Sequence, residues 1–139
     1  MIRIDFLGTG NAFTPLGRLH SLALIDEKIL IDTPPTLITQ LRRKGINTSN
    51  IEHLLFTHWH ADHTFGFPFF LLERKFISDP NLEKKLNIYL RPGGKKILSN
   101  LCNIGFPGSL EDASNIGNWF EEENMKRHLP QYPQIGNSP

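Results

Sequence analysis

The chain has 139 residues and a formal net charge of +1, with 15 Lys and Arg residues against 14 Asp and Glu residues. This length suits one globular domain with its own core. The balanced charge excludes a strong general attraction to nucleic acids or anionic membranes, although a local patch can still bind a nucleic acid. A single cysteine excludes an internal disulfide and a cysteine-based zinc cluster. With no signal-like N-terminus and no apolar run of membrane-spanning length, the sequence predicts a cytoplasmic protein without a membrane partner.

The first third of the chain predicts three strands. Residues 2–6 alternate apolar and polar side chains and predict a half-buried strand, which the glycines of residues 8–10 interrupt. Two apolar runs flank residues 26–27 and predict a hairpin whose second strand ends at Asp32.

The middle of the chain predicts two helices around a strand. The prolines at the start of residues 34–44 suit the first turn of a helix, and Gly45 suits its left-handed end. Residues 51–57 form a short apolar run that predicts a strand, which leads into a loop over residues 57–66. A helix over residues 67–76 follows, because its proline fits the first turn.

Another strand and helix complete an alternating pattern. Residues 87–91 predict a strand, and residues 92–105 predict a helix that begins at a proline and ends at a glycine. Because strands and helices alternate after an opening hairpin, the predicted class is an α/β layered fold with a mixed sheet.

The predicted domain covers residues 1–116. A C-terminal helix is expected over residues 117–129, because Asn118 and Glu121 have the spacing of a capping box. Residues 130–139 are rich in Pro, Gln, Gly and Asn and are predicted to be disordered.

The segment THWHADH, residues 57–63, carries the strongest chemical signal in the sequence. In an extended loop, His58 and His60 point the same way, because side-chain direction repeats every two residues. Asp62 continues that series, whereas His63 is expected to point elsewhere. The spacing therefore predicts two adjacent metal positions, the first with His58 and His60 and the second with Asp62 and His63.

These donor types indicate hydrolytic chemistry. Imidazole nitrogens and a carboxylate without thiolates suit zinc in a catalytic site, and manganese or iron can also bind such a set. Two ions roughly 3.5–4 Å apart can ionise a shared water and stabilise the leaving oxygen of a phosphoester. The alternative is a polar loop that happens to contain histidines.

Here the sequence also resembles a known family. THWHADH is similar to the signature of metallo-β-lactamase fold hydrolases, and FLGTGNAF, RLHS and the strand-ending Asp32 occur in the order that this family uses. The resemblance covers roughly residues 1–105. It implies the first half of an αββα sandwich, and the early FLGTG most resembles the ribonuclease Z and cyclic phosphodiesterase branches, which cleave phosphodiesters.

The resemblance also implies roles for the site residues. His58 and His60 bind the first of two divalent ions, and His63 binds the second. Asp62 binds the second ion and acts catalytically by orienting or deprotonating the water. Asp32 lies outside the ligand sphere and holds the loop.

The chain departs from the family pattern in two places. DTPPTL follows the first aspartate where ribonuclease Z relatives usually carry a glycine-rich acidic stretch, which weakens a specific assignment to tRNA processing. The sequence also supplies one half of the sandwich only, so residues that complete the metal shells are missing. His128 is a weak candidate for one of them, because a histidine at the basic end of the predicted helix is better explained by its favourable interaction with the helix dipole. Asp79 and Asp112 are no better candidates for a bridging ligand.

The sequence around three other residues does not indicate a role in the site. His20 and His53 stand alone on predicted strands and are expected at the surface or in satisfied core positions. Trp59, between two predicted ligands, either lines the mouth of the site or packs.

Two functional hypotheses follow. The first is a metal-dependent hydrolase of phosphodiester bonds, with RNA, a cyclic nucleotide or a small phosphoester as substrate. The second is a truncated half domain that binds metal weakly and needs a partner, since half a sandwich leaves an apolar sheet face uncovered and favours a homodimer.

Overall fold

A single six-stranded sheet organises the protein. The computed structural model describes residues 1–112 and 115–121. In the order of the sheet, the strands are Ile4–Gly8 (β1), Leu22–Ile25 (β2), Ile29–Ile31 (β3), His53–Leu55 (β4), Asn87–Leu90 (β5) and Asn118–Glu121 (β6). The pairs β1–β2 and β2–β3 are antiparallel, the second of them being the predicted hairpin, and β3 to β6 are parallel. The predicted α/β class with a mixed sheet is therefore confirmed.

Within the described residues, four α-helices connect the strands. They are Leu37–Arg43 (α1), Ala61–Thr64 (α2), Phe67–Glu73 (α3) and Gly94–Gly105 (α4). A 3₁₀ turn covers Thr48–Asn50, and a π-helical turn over Arg74–Ser78 continues α3. Across the described ranges, no helix combines the length and the apolar character that crossing a membrane requires.

The end of α1 follows its sequence prediction. Gly45 has a φ of +68°, in the left-handed region that its position requires. The Gly45 N–H donates to the Arg42 carbonyl at 3.0 Å, and the Ile46 N–H donates to the Leu41 carbonyl at 3.0 Å. This pair of bonds is a Schellman motif, which ends the helix and turns the chain toward β4.

Two sequence predictions of local structure are wrong. The predicted loop over residues 57–66 contains α2, a single helical turn. The predicted C-terminal helix is wrong over Asn118–Glu121, which forms β6 instead. The Asn118 N–H donates to the Leu86 carbonyl at 2.8 Å, and β6 pairs along the whole of β5. This pairing outweighs the local capping pattern, because sheet formation depends on tertiary neighbours.

The rest of that helix prediction lies outside the described residues. It comprises residues 122–129, with His128, and the predicted tail over residues 130–139. The boundaries of the domain and of the tail stay predictions.

The helices cover one face of the sheet. The central row of that face consists of Leu24, Leu30, Leu54 and Ile88, all of which are fully buried. Fully buried side chains from the helices complete the core, among them Leu37, Phe67, Phe70, Leu71 and Leu98. This packing fixes the strands whose ends carry the predicted site.

The opposite side of the sheet, here called the open face, is apolar and incompletely covered. One register row across it contains Phe6, Ala23, Ile31, Leu55, Tyr89 and Phe120. Phe6 is 70% exposed, and Leu55 and Phe120 are 36% and 37% exposed. A continuous apolar row of this kind is unusual on a solvated surface and indicates a surface that another layer covers.

A buried arginine ties together the segments that precede β4 and β5. Arg74 is fully buried, and its Nη1 donates to the carbonyls of Thr48 and Ile51 at 2.6 and 2.9 Å. Its Nη2 donates to the carbonyls of Lys84 and Lys85 at 3.2 and 3.4 Å. These bonds satisfy backbone oxygens at the starts of two neighbouring strands and so stabilise their pairing.

Cys102 on α4 is expected to be inert in the folded protein. It is fully buried, and burial raises the pKa of its thiol from 9.0 to about 12. The native protein should therefore not react with Ellman's reagent at pH 8, whereas the denatured protein should react fully. Above pH 9.0 the thiol loses its proton in the unfolded state but keeps it in the folded state. The free energy of unfolding should therefore fall as the pH rises above 9.0. Fast labelling of the native protein would contradict this prediction.

Candidate metal centre

The predicted site residues lie at the carboxyl ends of two neighbouring parallel strands. Asp32 directly follows β3, and the segment from Thr57 to His63 follows β4. The Asp32 N–H donates to the Leu55 carbonyl at 2.7 Å, so the two strand ends are held together. Ligand sites in sheets of this type characteristically occupy this edge.

Asp32 is the central hydrogen-bond acceptor of the site. Its side chain accepts the Thr57 N–H at 2.7 Å, the Thr57 hydroxyl at 2.6 Å and Nδ1 of His63 at 2.7 Å. Asp32 is only 4% exposed and has a φ of +69°. Aspartate tolerates this left-handed conformation better than most residues, which helps to aim the carboxylate at the loop after β4.

Thr57 extends the hydrogen bonding of Asp32 to a second histidine. Its hydroxyl hydrogen is directed at Asp32, so the contact of 3.0 Å between Thr57 Oγ1 and Nδ1 of His58 has the imidazole as donor. His58 and His63 therefore both carry the proton on Nδ1. This tautomer leaves Nε2 of each ring as the nitrogen that can bind a metal ion.

The three histidine rings converge. The ring centroids of His58 and His60 are 4.7 Å apart, and those of His58 and His63 are 4.0 Å apart. The expectation that His58 and His60 share one side of an extended segment agrees with this arrangement. The expectation that His63 points elsewhere is wrong, because α2 turns the chain back and the His63 N–H donates to the His60 carbonyl at 2.9 Å.

Close backbone contact holds His63 beside Asp32. The Thr33 N–H donates to the His63 carbonyl, and the Gly66 N–H donates to the Thr33 carbonyl, each at 2.8 Å. A Cβ on Gly66 would lie 2.0 Å from the Pro34 carbonyl oxygen, so only glycine allows these segments to approach. The sequence reasoning did not single out Thr57 or Gly66, whose roles depend on contacts with residues about 25 to 32 positions earlier.

The donor set fits part of a divalent-metal site. Asp62 Oδ2 lies 3.2 Å from Nε2 of His63, the nitrogen that the tautomer leaves available. Within residues 1–112 and 115–121, no three His, Cys, Asp or Glu side chains are arranged to hold one ion. The residues thus supply suitable imidazole and carboxylate donors but only part of a coordination shell.

The two isolated histidines have other partners. Nδ1 of His53 lies 3.1 Å from the Tyr89 hydroxyl, on the open face at the start of β4. Nδ1 of His20 lies 3.4 Å from the Thr36 hydroxyl, and the buried Gln40 donates to the His20 carbonyl at 2.7 Å. Gln40 also donates to the Leu7 carbonyl at 3.3 Å, so it fixes the GTG turn after β1.

Comparison with known proteins decides the family. A family profile described as anti-Pycsar protein Apyc1 matches residues 2–133. The chain belongs to this family. The Apyc1-family chain is also similar to ribonuclease Z from Thermoplasma acidophilum, with 33% identity over 108 residues. That alignment covers 76% of the chain and 34% of the relative, so the chain spans about a third of the length of this relative.

Solved structures establish the fold of the Apyc1-family chain. The short form of human tRNase Z superposes with a TM-score of 0.66 at 22% identity, covering 87% of the chain and 44% of the human protein. A metallo-β-lactamase fold protein from Bacillus subtilis gives a TM-score of 0.55 at 17% identity, covering 63% of the chain and 37% of that protein. The predicted metallo-β-lactamase fold and the resemblance to the ribonuclease Z branch are confirmed.

Proposed function

We propose that this chain provides one half of a metal-dependent phosphodiesterase, with His58, His60, Asp62 and His63 as metal ligands. The observation that carries the proposal is the convergence of three imidazole rings at the edge of the sheet, with Asp32 and Thr57 fixing two of them. Hydrogen bonds that fix the tautomer and orientation of a histidine ring are typical support for metal-binding histidines. The similarity to ribonuclease Z supports the same chemistry.

Each side chain of the site has a separate role. His58 and His60 bind one ion, while His63 and Asp62 bind a second. A bound divalent ion, with zinc the best match and manganese or iron as alternatives, supplies Lewis acidity and lowers the pKa of a bound water. Asp62 is the catalytic base that orients the attacking water and accepts its proton. Asp32 positions His63 directly and His58 through Thr57.

The remaining ligands come from outside the described part of the chain. Two features support this view: the donors in the described ranges form an incomplete shell, and the chain spans about a third of the ribonuclease Z relative. A second half-sandwich that covers the open face would bring such residues to the same edge of the sheet. This half would belong either to further polypeptide or to a partner chain.

The substrate is a phosphodiester. The relatives named ribonuclease Z favour RNA, whereas the DTPPTL segment of this chain departs from the ribonuclease Z pattern and leaves a cyclic nucleotide as the second substrate class. The cytoplasmic location expected from the sequence stays a prediction.

Metal analysis and a hydrolysis assay test this function together. The purified chain should contain zinc or manganese by elemental analysis and cleave bis(p-nitrophenyl) phosphate. A chelator should abolish both properties, and added metal should restore them. Parallel assays with a short RNA and a 3′,5′-cyclic nucleotide identify the substrate class. Absence of bound metal would contradict the proposed ligand roles, and bound metal without turnover of any of these compounds would contradict the phosphodiesterase activity.

The open face supports a second candidate function, a half domain that acts only when a second copy covers the sheet. The register row of the open face that begins at Phe6 carries no charged side chain. Phe6 is 70% exposed, and Ile4 on the same face is 53% exposed. A formal charge of +1 gives little repulsion between copies. Sheets that pack face to face bury rows of this type.

Light scattering coupled to size-exclusion chromatography tests this candidate. The wild-type chain should elute as a dimer, and Phe6→Asp should convert it into a monomer. Phe13→Asp is the matched control, because Phe13 is 90% exposed but lies outside the strands. A stable wild-type monomer would remove the main support for the dimer.

A further inference from the structure

Trp59 is the apolar residue between two of the predicted ligands. In an extended segment its side chain points opposite to those of His58 and His60. The indole is partly buried against the core, with its centroid 5.6 Å from that of Phe56. Phe56 in turn packs edge-on against Phe67, at 5.9 Å between centroids. Trp59 therefore holds this segment against the core on the side opposite to the two imidazoles.

The position of the indole depends on a glycine in α4. A Cβ on Gly94 would lie 2.5 and 2.6 Å from the Cη2 and Cζ2 atoms of the Trp59 indole. Both distances are far below van der Waals contact. The turn before Gly94 is fixed by its N–H, which donates to the Arg91 carbonyl at 3.0 Å, and by Gly93, which has a φ of +82°. The indole thus lies directly on the backbone at the start of α4.

We propose that Gly94 is a positioning residue, which sets the orientation of His58 and His60 through the indole of Trp59. This inference rests on the proposed metal-binding function of those two histidines. The peptide units of Trp59 are shared with both neighbours, so a displaced indole rotates the backbone that carries both imidazoles. Metal sites require their ligands within a few tenths of an ångström, and supporting contacts of this kind typically affect affinity by about 10- to 100-fold.

Gly94→Ala tests the contact first in the metal-free protein. The protein contains two tryptophans, Trp59 and Trp119, so 5-fluorotryptophan labelling gives two fluorine NMR resonances. Trp59→Phe assigns them. The Trp59 resonance should move in Gly94→Ala. It should stay in place in Gly105→Ala, the matched control in the same helix, because a Cβ there meets nothing closer than 3.4 Å.

Metal titration then tests the consequence. Gly94→Ala should weaken the affinity for zinc by about tenfold, while Gly105→Ala keeps the wild-type affinity. Trp59→Phe removes the two indole atoms that the new methyl group meets. The double variant Gly94→Ala/Trp59→Phe should therefore bind zinc within about threefold of Trp59→Phe alone, which shows that the effect passes through the indole.

The results separate this inference from the proposed function. An unmoved Trp59 resonance, an unchanged zinc affinity in Gly94→Ala, or additive losses in the double variant would each overturn the positioning role. Failure of the wild-type protein to bind zinc would instead overturn the metal-binding function, and the positioning role with it. In that case, a shift of the Trp59 resonance in Gly94→Ala would show only that Trp59 packs against Gly94.

Discussion

Replacing His60 by alanine is expected to remove tightly bound metal and to lower phosphodiester hydrolysis by at least about a hundredfold. Replacing a residue that supports a metal ligand typically lowers metal affinity or activity by about 10- to 100-fold, and replacing a ligand itself should lower them further. His60 is exposed, and its contact with the helical turn that follows is made by its backbone carbonyl, which accepts from the Thr64 hydroxyl at 3.1 Å and is kept in the variant. The free energy of unfolding should therefore change by less than about 0.5 kcal/mol. Elemental analysis, the hydrolysis assay and urea unfolding measure the three quantities.

His53→Ala is the matched control for the His60 variant. Its imidazole lies at the other end of β4 and contacts the Tyr89 hydroxyl rather than the metal-site residues. Metal content and hydrolysis should stay at the wild-type level. If His60→Ala retained its metal while His53→Ala lost it, the assignment of the site to the THWHADH segment would be wrong.

Replacing Asp32 by alanine is expected to lower the free energy of unfolding by about 3–5 kcal/mol and to weaken zinc binding by about 10- to 100-fold. Three donors lose their acceptor, namely the Thr57 N–H, the Thr57 hydroxyl and Nδ1 of His63. Alanine also tolerates the φ of +69° less well than aspartate does. The lost hydrogen bonds and the less favourable φ both lower the free energy of unfolding. Chemical denaturation measures this free energy, and zinc titration measures the zinc affinity.

Two further variants separate the causes of the Asp32 effect. Asp32→Asn keeps the left-handed conformation and one carbonyl acceptor, but it turns an amide NH₂ toward a donor. It should therefore recover part of the lost stability without recovering zinc affinity. Asp26→Ala is the control for backbone strain, since Asp26 has a φ of +50° in an exposed turn and its side chain accepts one exposed hydrogen bond, from the Arg3 N–H at 2.8 Å, against the three that Asp32 accepts. A loss of stability in Asp26→Ala as large as that in Asp32→Ala would mean that strain, rather than hydrogen bonding, explains the Asp32 result.

Much of the fold was predictable because local patterns and packing agree. The end of α1 needed only a glycine in the left-handed position, and the strands before Asp32 and Thr57 needed only short apolar runs. β6 was mispredicted because Asn118 and Glu121 have the spacing of a helix cap. The strand forms because β5 offers a free edge, and a free edge is a property of the assembled sheet.

The site was predictable in composition but not in geometry. The alternation of side chains was enough to place His58 and His60 together, since it needs no information from other segments. The return of His63 depends on α2, and the orientation of His58 depends on the hydroxyl of Thr57. Gly94 and Trp59 are separated along the chain by α2, α3 and β5, and nothing in either local sequence indicates their contact.

The sheet has a consequence for synthesis on the ribosome. Its spatial order, β1 to β6, is identical to the order of the strands in the chain. Every new strand therefore finds its docking edge already made, and no strand must wait for a later one to separate its neighbours. Assembly can advance one strand at a time during translation, and nascent chains arrested after β3, β4 or β5 should each contain a partial sheet that the next strand extends.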